Sequence, residues 1–115
     1  MRIRITINNT VLTGELHLNA AAKDFAALLP LSLELTDYNQ TEKIAQLPKK
    51  LSTANSPEGF TPVAGDLAFY APWGNIALFY KGFSYSKGLI KLGGIRGDLG
   101  VLKKAAAQKA LIELE

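Results

Sequence analysis

Few residues of this chain are equipped for covalent chemistry, and their placement argues against it. There is no cysteine, which removes thiolate catalysis, disulfides and zinc-thiolate clusters together. A single histidine, His17, leaves no conventional nitrogen-and-sulfur metal site. His17 shares the polar face of a strand pattern with Glu15, a solvated position for both. No serine stands in a nucleophile-elbow context, and no Gly-x-Gly-x-x-Gly spacing exists to cradle a phosphate. Asp66 follows Gly65 at a strand start and is expected to bond nearby backbone amides instead of acting as a base. No metal and no cofactor are expected.

What remains is non-covalent chemistry, and it is concentrated in one run, GDLAFYAPWGNIALFYK, from Gly65 to Lys81. Two apolar stretches flank a four-residue turn, Pro72 to Asn75, and both carry aromatic or aliphatic residues on both faces. A strand apolar on both faces must be covered twice, once by a barrel interior and once by something else. Gly74 and Asn75 are read as turn residues that tolerate positive φ. Glu42 and Lys43, upstream, are placed at a pocket entrance from a loop, with a solvated charge pair as the plainer reading.

The elements that must hold these residues follow from periodicity. RIRITI alternates Ile3, Ile5 and Ile7 with Arg2, Arg4 and Thr6, and after an Asn8–Asn9 turn the alternation resumes from Val11 to Leu18, with Leu12, Gly14, Leu16 and Leu18 inward. This is an antiparallel hairpin. Asn19 is placed to cap a short helix carrying Ala22, Phe25, Ala26 and Leu29 on one stripe, which Pro30 ends. Leu31, Leu33 and Leu35 then alternate with polar residues in a third strand. Residues 37 to 60, with Asn39, Pro48, Asn55, Pro57 and Gly59, predict a long loop with one helical turn around Thr41 to Gln46. The hairpin of residues 66 to 81 follows, then a strand in LIKLGGI. Asp98 is expected to cap a second helix from Leu99 to about Ala107, and ALIELE closes the sheet. Gly93 and Gly94 mark a bulge or a close backbone approach. Many strands, two short helices and no βαβ rhythm predict a mostly β fold, a closed antiparallel barrel with helices capping its ends.

Totals bound the rest. With 115 residues and 48% hydrophobic content the chain suits a single domain over residues 1–115. No stretch is apolar for long enough to cross a bilayer as a helix, and MRIRITI alternates charge with isoleucine where a signal region would be continuous, so a cytoplasmic protein is expected. The net charge of +3 is spread over scattered lysines, which argues against nucleic-acid binding.

In this order the pieces resemble a cyclophilin, and more closely the short bacterial cyclophilin-like proteins that stand apart from the conventional isomerases. NAAAKDFAALLP resembles the helix after the family's opening hairpin, GDLAFYA its Gly-x-Leu-Ser-Met-Ala-Asn strand, and IALFY the Ser-Gln-Phe-Phe-Ile strand that follows. Leu92, Gly93, Gly94 and Ile95 resemble the Phe-Gly-x-Val element. The resemblance implies a proline-binding groove on the outer barrel face. With Leu67, Phe69 and Ala71 inward, and Ile76, Leu78 and Tyr80 inward, alternation turns Ala68, Tyr70, Ala77 and Phe79 outward. Tyr85 and Leu89 fall near the positions where the family places an aromatic and a histidine at the groove edge.

The family's isomerases hold an arginine in the groove to weaken amide conjugation against a barrier of roughly 18–20 kcal/mol. Its strand here reads LSLELTD and contains no arginine, and the family's long glycine-rich segment is replaced by STANSPEGFTP. The expected function is therefore binding of a peptide or small ligand, with Tyr70, Trp73, Ala77, Phe79, Tyr85, Leu89 and Glu42 as the binding set. A weak prolyl isomerase lacking the arginine is the second reading. An assembly role for a monomer or weak homodimer, through an exposed strand or the Trp73 turn, is the third.

Overall fold

The computed structural model describes all residues, 1–115. Its first two strands, β1 (Arg2–Ile7) and β2 (Thr10–Leu16), are joined by Asn8 and Asn9, with Asn8 at φ 55°. Helix α1 (Ala20–Ala27) follows, then β3 (Leu31–Tyr38), β4 (Glu42–Gln46), β5 (Gly59–Phe60), β6 (Asp66–Tyr70), β7 (Asn75–Phe79), β8 (Ser86–Lys87), β9 (Leu89–Arg96), a 3-10 turn (Leu99–Lys103) and β10 (Gln108–Leu114). Eight of the strands close an antiparallel barrel in the order β1-β10-β3-β4-β7-β6-β9-β2, and β5 pairs with β8 outside it. Closure gives every barrel strand a neighbour on both sides. No helix is long and apolar enough to cross a membrane.

The lumen is filled by the alternating residues that the sequence places inward. Ile3, Ile5 and Ile7 are fully buried, as are Leu67, Ile76 and Leu78, and Phe69 and Tyr80 join the same cluster. Helix α1 adds Ala21, Ala22, Phe25 and Ala26 to it. Its cap works in both directions: the Asn19 side chain accepts from the Ala22 amide at 2.8 Å and donates to the Lys91 carbonyl at 3.0 Å, tying the helix start to β9. Leu18, by contrast, lies beyond β2 and is exposed, because the strand ends at Leu16.

Three expectations are corrected. Residues 42–46 are not a helical turn in a loop but β4, paired with β3 on one side and β7 on the other. The tight turn into it uses Asn39 and Gln40 at positive φ. The alternation is there, since Lys43 and Ala45 face the lumen and Glu42 and Ile44 face out, but an inward lysine breaks the apolar period by which a strand is recognised. The second helix shrinks to the 3-10 turn, with Asp98 accepting from the Gly100 amide at 3.0 Å. The Val101 carbonyl, which a continuing helix would offer to the amide four residues on, accepts instead from the Gln108 side chain at 2.8 Å, and the Ala106 carbonyl accepts from Lys43 Nζ at 3.0 Å. In the central hairpin the ladder runs to the pair Tyr70–Asn75, so the turn is residues 71–74 and Asn75 belongs to β7. Gly74 does adopt positive φ, 72°.

Two glycines are required by a close approach. The register of β6 against β9 slips between Leu67 and Ala68, a bulge that drives Gly93 against β2. A methyl group on Gly93 would collide with the Glu15 carbonyl oxygen. At Gly14, on the other side of this seam, it would meet the Gly94 carbonyl oxygen at 2.8 Å.

Candidate functional site

The same alternation that fills the lumen produces a second apolar cluster on the outer face, built from Ala68, Ala77, Phe79 and Leu89, with Ile44, Phe60 and Tyr70 packed against it. Its rows are set by strand register. Tyr38 lies across from Glu42 and Glu42 across from Phe79, so β3, β4 and β7 bring these three side chains to one row. Two residues along, Ile44 meets Ala77 and Ala77 meets Ala68. A further row joins Asn75, Tyr70 and Leu89.

Above these rows lies a concavity of about 230 Å³. Of the residues expected from sequence, Tyr70, Trp73, Phe79, Leu89 and Glu42 line it. Ala77 is fully buried in the floor beneath. Tyr85 does not reach it: Ser86 lines the concavity, and in extended chain the preceding side chain points the other way, leaving Tyr85 exposed to solvent. Sequence reasoning missed Tyr38, Asn39 and Ile44, which come from the segment read as a loop, as well as Asn75, Phe83 and Ser86. The alternation of β3, carried two residues past Thr36, would have found Tyr38. The loop of residues 47–58 does not line the concavity; the partial cover comes from Phe60 of the β5–β8 pair.

Three rings dominate the rim. Trp73, 53% exposed, makes edge contacts with Tyr38 at 5.5 Å and 80° and with Tyr70 at 5.2 Å and 84° between ring centroids and planes. Trp73 is held from below, where Gln46 Nε2 donates to its carbonyl at 3.0 Å and to that of Gly74 at 3.1 Å. Asn75 is buried in the floor, its Nδ2 donating to the Ile76 carbonyl at 3.0 Å, which leaves its Oδ1 without a donor.

Glu42 is the one charged residue of the lining, and no lysine or arginine pairs with it. Burial, reinforced by the Asp37 carboxylate, pushes its pKa up to about 7. On the lumen side of the same strand Lys43 is fully buried, where a solvated pair with Glu42 was expected. Burial lowers the Lys43 pKa, and the Asp37 charge opposes that shift. Asp37 also accepts a hydrogen bond from Tyr80, whose phenol is pushed up to about 12 by burial first and by Asp37 second. Asp66 bonds the Val63 amide at 2.9 Å as expected, and pairs with Lys91 at 3.2 Å.

No arginine enters the concavity. Arg2 and Arg96 line a polar depression with Glu15, and Arg4 pairs with Glu113 at 3.3 Å.

A closed eight-stranded antiparallel barrel with an aromatic concavity on its outer face defines the class of molecule. The family model described as the Cyclophilin-like family matches residues 5–114, and the chain belongs to that family. It is similar in structure to a hypothetical protein from Archaeoglobus fulgidus whose solution structure is known, with a TM-score of 0.72 over 100% of this chain and 95% of the other, at 20% sequence identity. At that identity the likeness concerns the fold. No curated protein matches the chain.

Proposed function

We propose that this cyclophilin-like domain is a binding module that takes a peptide or small ligand in the outer-face concavity. The observation that carries the reading is the second apolar cluster: it lies on the outer face of the barrel as the floor of a concavity, and around it stand the exposed rings of Tyr38, Trp73 and Phe83 and the half-buried Tyr70. A lining without arginine favours binding over prolyl isomerisation. The reading takes the domain as cytoplasmic and as a monomer or weak homodimer.

The test is a panel of proline-containing peptides and small apolar compounds titrated into the protein, followed by amide NMR and by the fluorescence of Trp73, the single tryptophan. Saturable shifts confined to residues 38–46, 70–79 and 83–89 are expected. A panel that produces no saturable change at millimolar concentration removes the reading.

A further inference from the structure

We propose that the concavity accepts a small organic ammonium ion, with Tyr38, Tyr70 and Trp73 as its walls and Glu42 as the counter-charge. The inference rests on the concavity being a binding site and names the chemistry of its ligand.

The sign of the lining comes first. Eleven residues surround the space, and the one that carries charge is a carboxylate. No lysine or arginine of the chain neutralises it. The buried Asn75 in the floor brings no positive charge to the lining, and its Oδ1 has no donor inside the protein. A neutral apolar ligand would gain nothing from a half-buried carboxyl group and would bury it further.

Ring arrangement is the second observation. In an edge-to-face pair, the ring presenting its edge keeps both of its own faces clear of its partner. Trp73 is near-perpendicular to Tyr38 and to Tyr70, so in each pair the ring that presents its edge has both faces left to bound the space. The face of an aromatic ring is the negative end of its quadrupole and attracts cations, most strongly when the site is shielded from water. Size is the third: about 230 Å³ falls below the roughly 300–1,000 Å³ of sites for drug-sized ligands and suits a headgroup.

A cation beside Glu42 favours the ionised carboxyl group, so binding should draw off its proton. The ionisable groups near Glu42 on the neighbouring elements are Asp37 and Tyr38 of β3, Tyr70 of β6 and Tyr80 after β7; the cations closest to this group, Lys43 on the lumen face and Lys81 and Lys103 beside Asp37 and Tyr80, do not line the concavity and form no ion pair with Glu42.

The test compares choline with 3,3-dimethylbutan-1-ol, which has the same shape with carbon in place of the charged nitrogen. Choline keeps its charge at every pH, so any pH dependence belongs to the protein. Saturable choline binding is expected at Trp73, at least about tenfold tighter than the neutral isostere at pH 8. It should tighten by roughly tenfold between pH 6 and pH 8 as a carboxyl group with pKa about 7 ionises. Glu42→Gln should flatten that pH dependence and remove most of the preference for charge. Tyr70→Phe should retain binding and Tyr70→Leu should lose it, each with an unchanged amide spectrum elsewhere. Equal affinity for the two isosteres, or binding of the apolar panel without choline, overturns this inference and leaves the binding-module reading standing; no binding of any probe removes both.

Discussion

Glu42 stands directly across the β4–β7 ladder from Phe79, so an acidic side chain leaves the backbone beside a ring that is 2% exposed. Burial beside that ring, with the Asp37 carboxylate adding to it, is why the carboxyl group resists ionisation, and it makes stability depend on pH. A carboxyl group whose pKa rises from 4.5 unfolded to about 7 folded leaves stability untouched below pH 4.5. It takes stability away as pH climbs through that interval, because the folded state holds the proton longer. After allowance for solvent screening the loss above pH 7 is about 1–2 kcal/mol. Glu42→Gln should therefore match the parent in urea midpoint at pH 4 and exceed it at pH 8. Urea titrations of both proteins at the two pH values check this.

Phe79 and Trp73 belong to the same site but differ in what removing them does to the fold. Phe79→Ala opens a cavity in a buried cluster and is expected to cost about 3–5 kcal/mol. Trp73→Ala removes a ring that is 53% exposed and should cost about 1 kcal/mol or less while abolishing ligand binding. Thermal melts alongside a binding titration separate the two; a large stability loss for Trp73→Ala would make the indole a packing element.

At the lumen end of β4, Tyr80→Phe deletes a donor to a carboxylate and should cost about 1.5–3 kcal/mol. Lys43→Met keeps the buried volume and removes a desolvated charge held by the Ala106 carbonyl, and it is expected to leave stability at pH 7 equal or higher. Chemical denaturation of both variants at pH 7 gives the comparison.

Gly93→Ala is the severest single methyl group the fold can be given on this seam. The collision is with the backbone of β2, which cannot retreat without parting from β9, and a loss of about 3 kcal/mol or failure to fold is expected. Soluble yield and melting midpoint report the result.

No acceleration of prolyl cis/trans exchange is expected, since the concavity offers no arginine to a twisted amide. NMR exchange spectroscopy of a proline peptide with excess protein measures it, and rates clearly above the uncatalysed value would restore the isomerase reading.

The barrel was legible because β1 and β2 alternate apolar with polar residues, and its sidedness because β6 and β7, apolar on both faces, have to face both the lumen and a second cover, which puts Phe69 and Phe79 on opposite faces. The half of the site contributed by Tyr38, Asn39 and Ile44 was not legible. A buried lysine at position 43 hides the strand that positions Ile44, and Tyr38 makes its contact with Trp73 across a gap of 35 positions in sequence. Asn75 was read as a turn residue from its type, whereas its strand position is fixed by pairing with Tyr70, a tertiary fact that local propensity does not contain.

The ring closes through β10, which bridges β1 and β3. Until residues 108–114 are in place, the sheet is an open ribbon with Ile3, Ile5 and Ile7 unshielded and two unsaturated margins, at β1 and β3. Cooperative folding must then wait for contacts spanning about a hundred residues, and assembly should be slow for a molecule this small. A chain shortened by those seven residues would be a template for self-association.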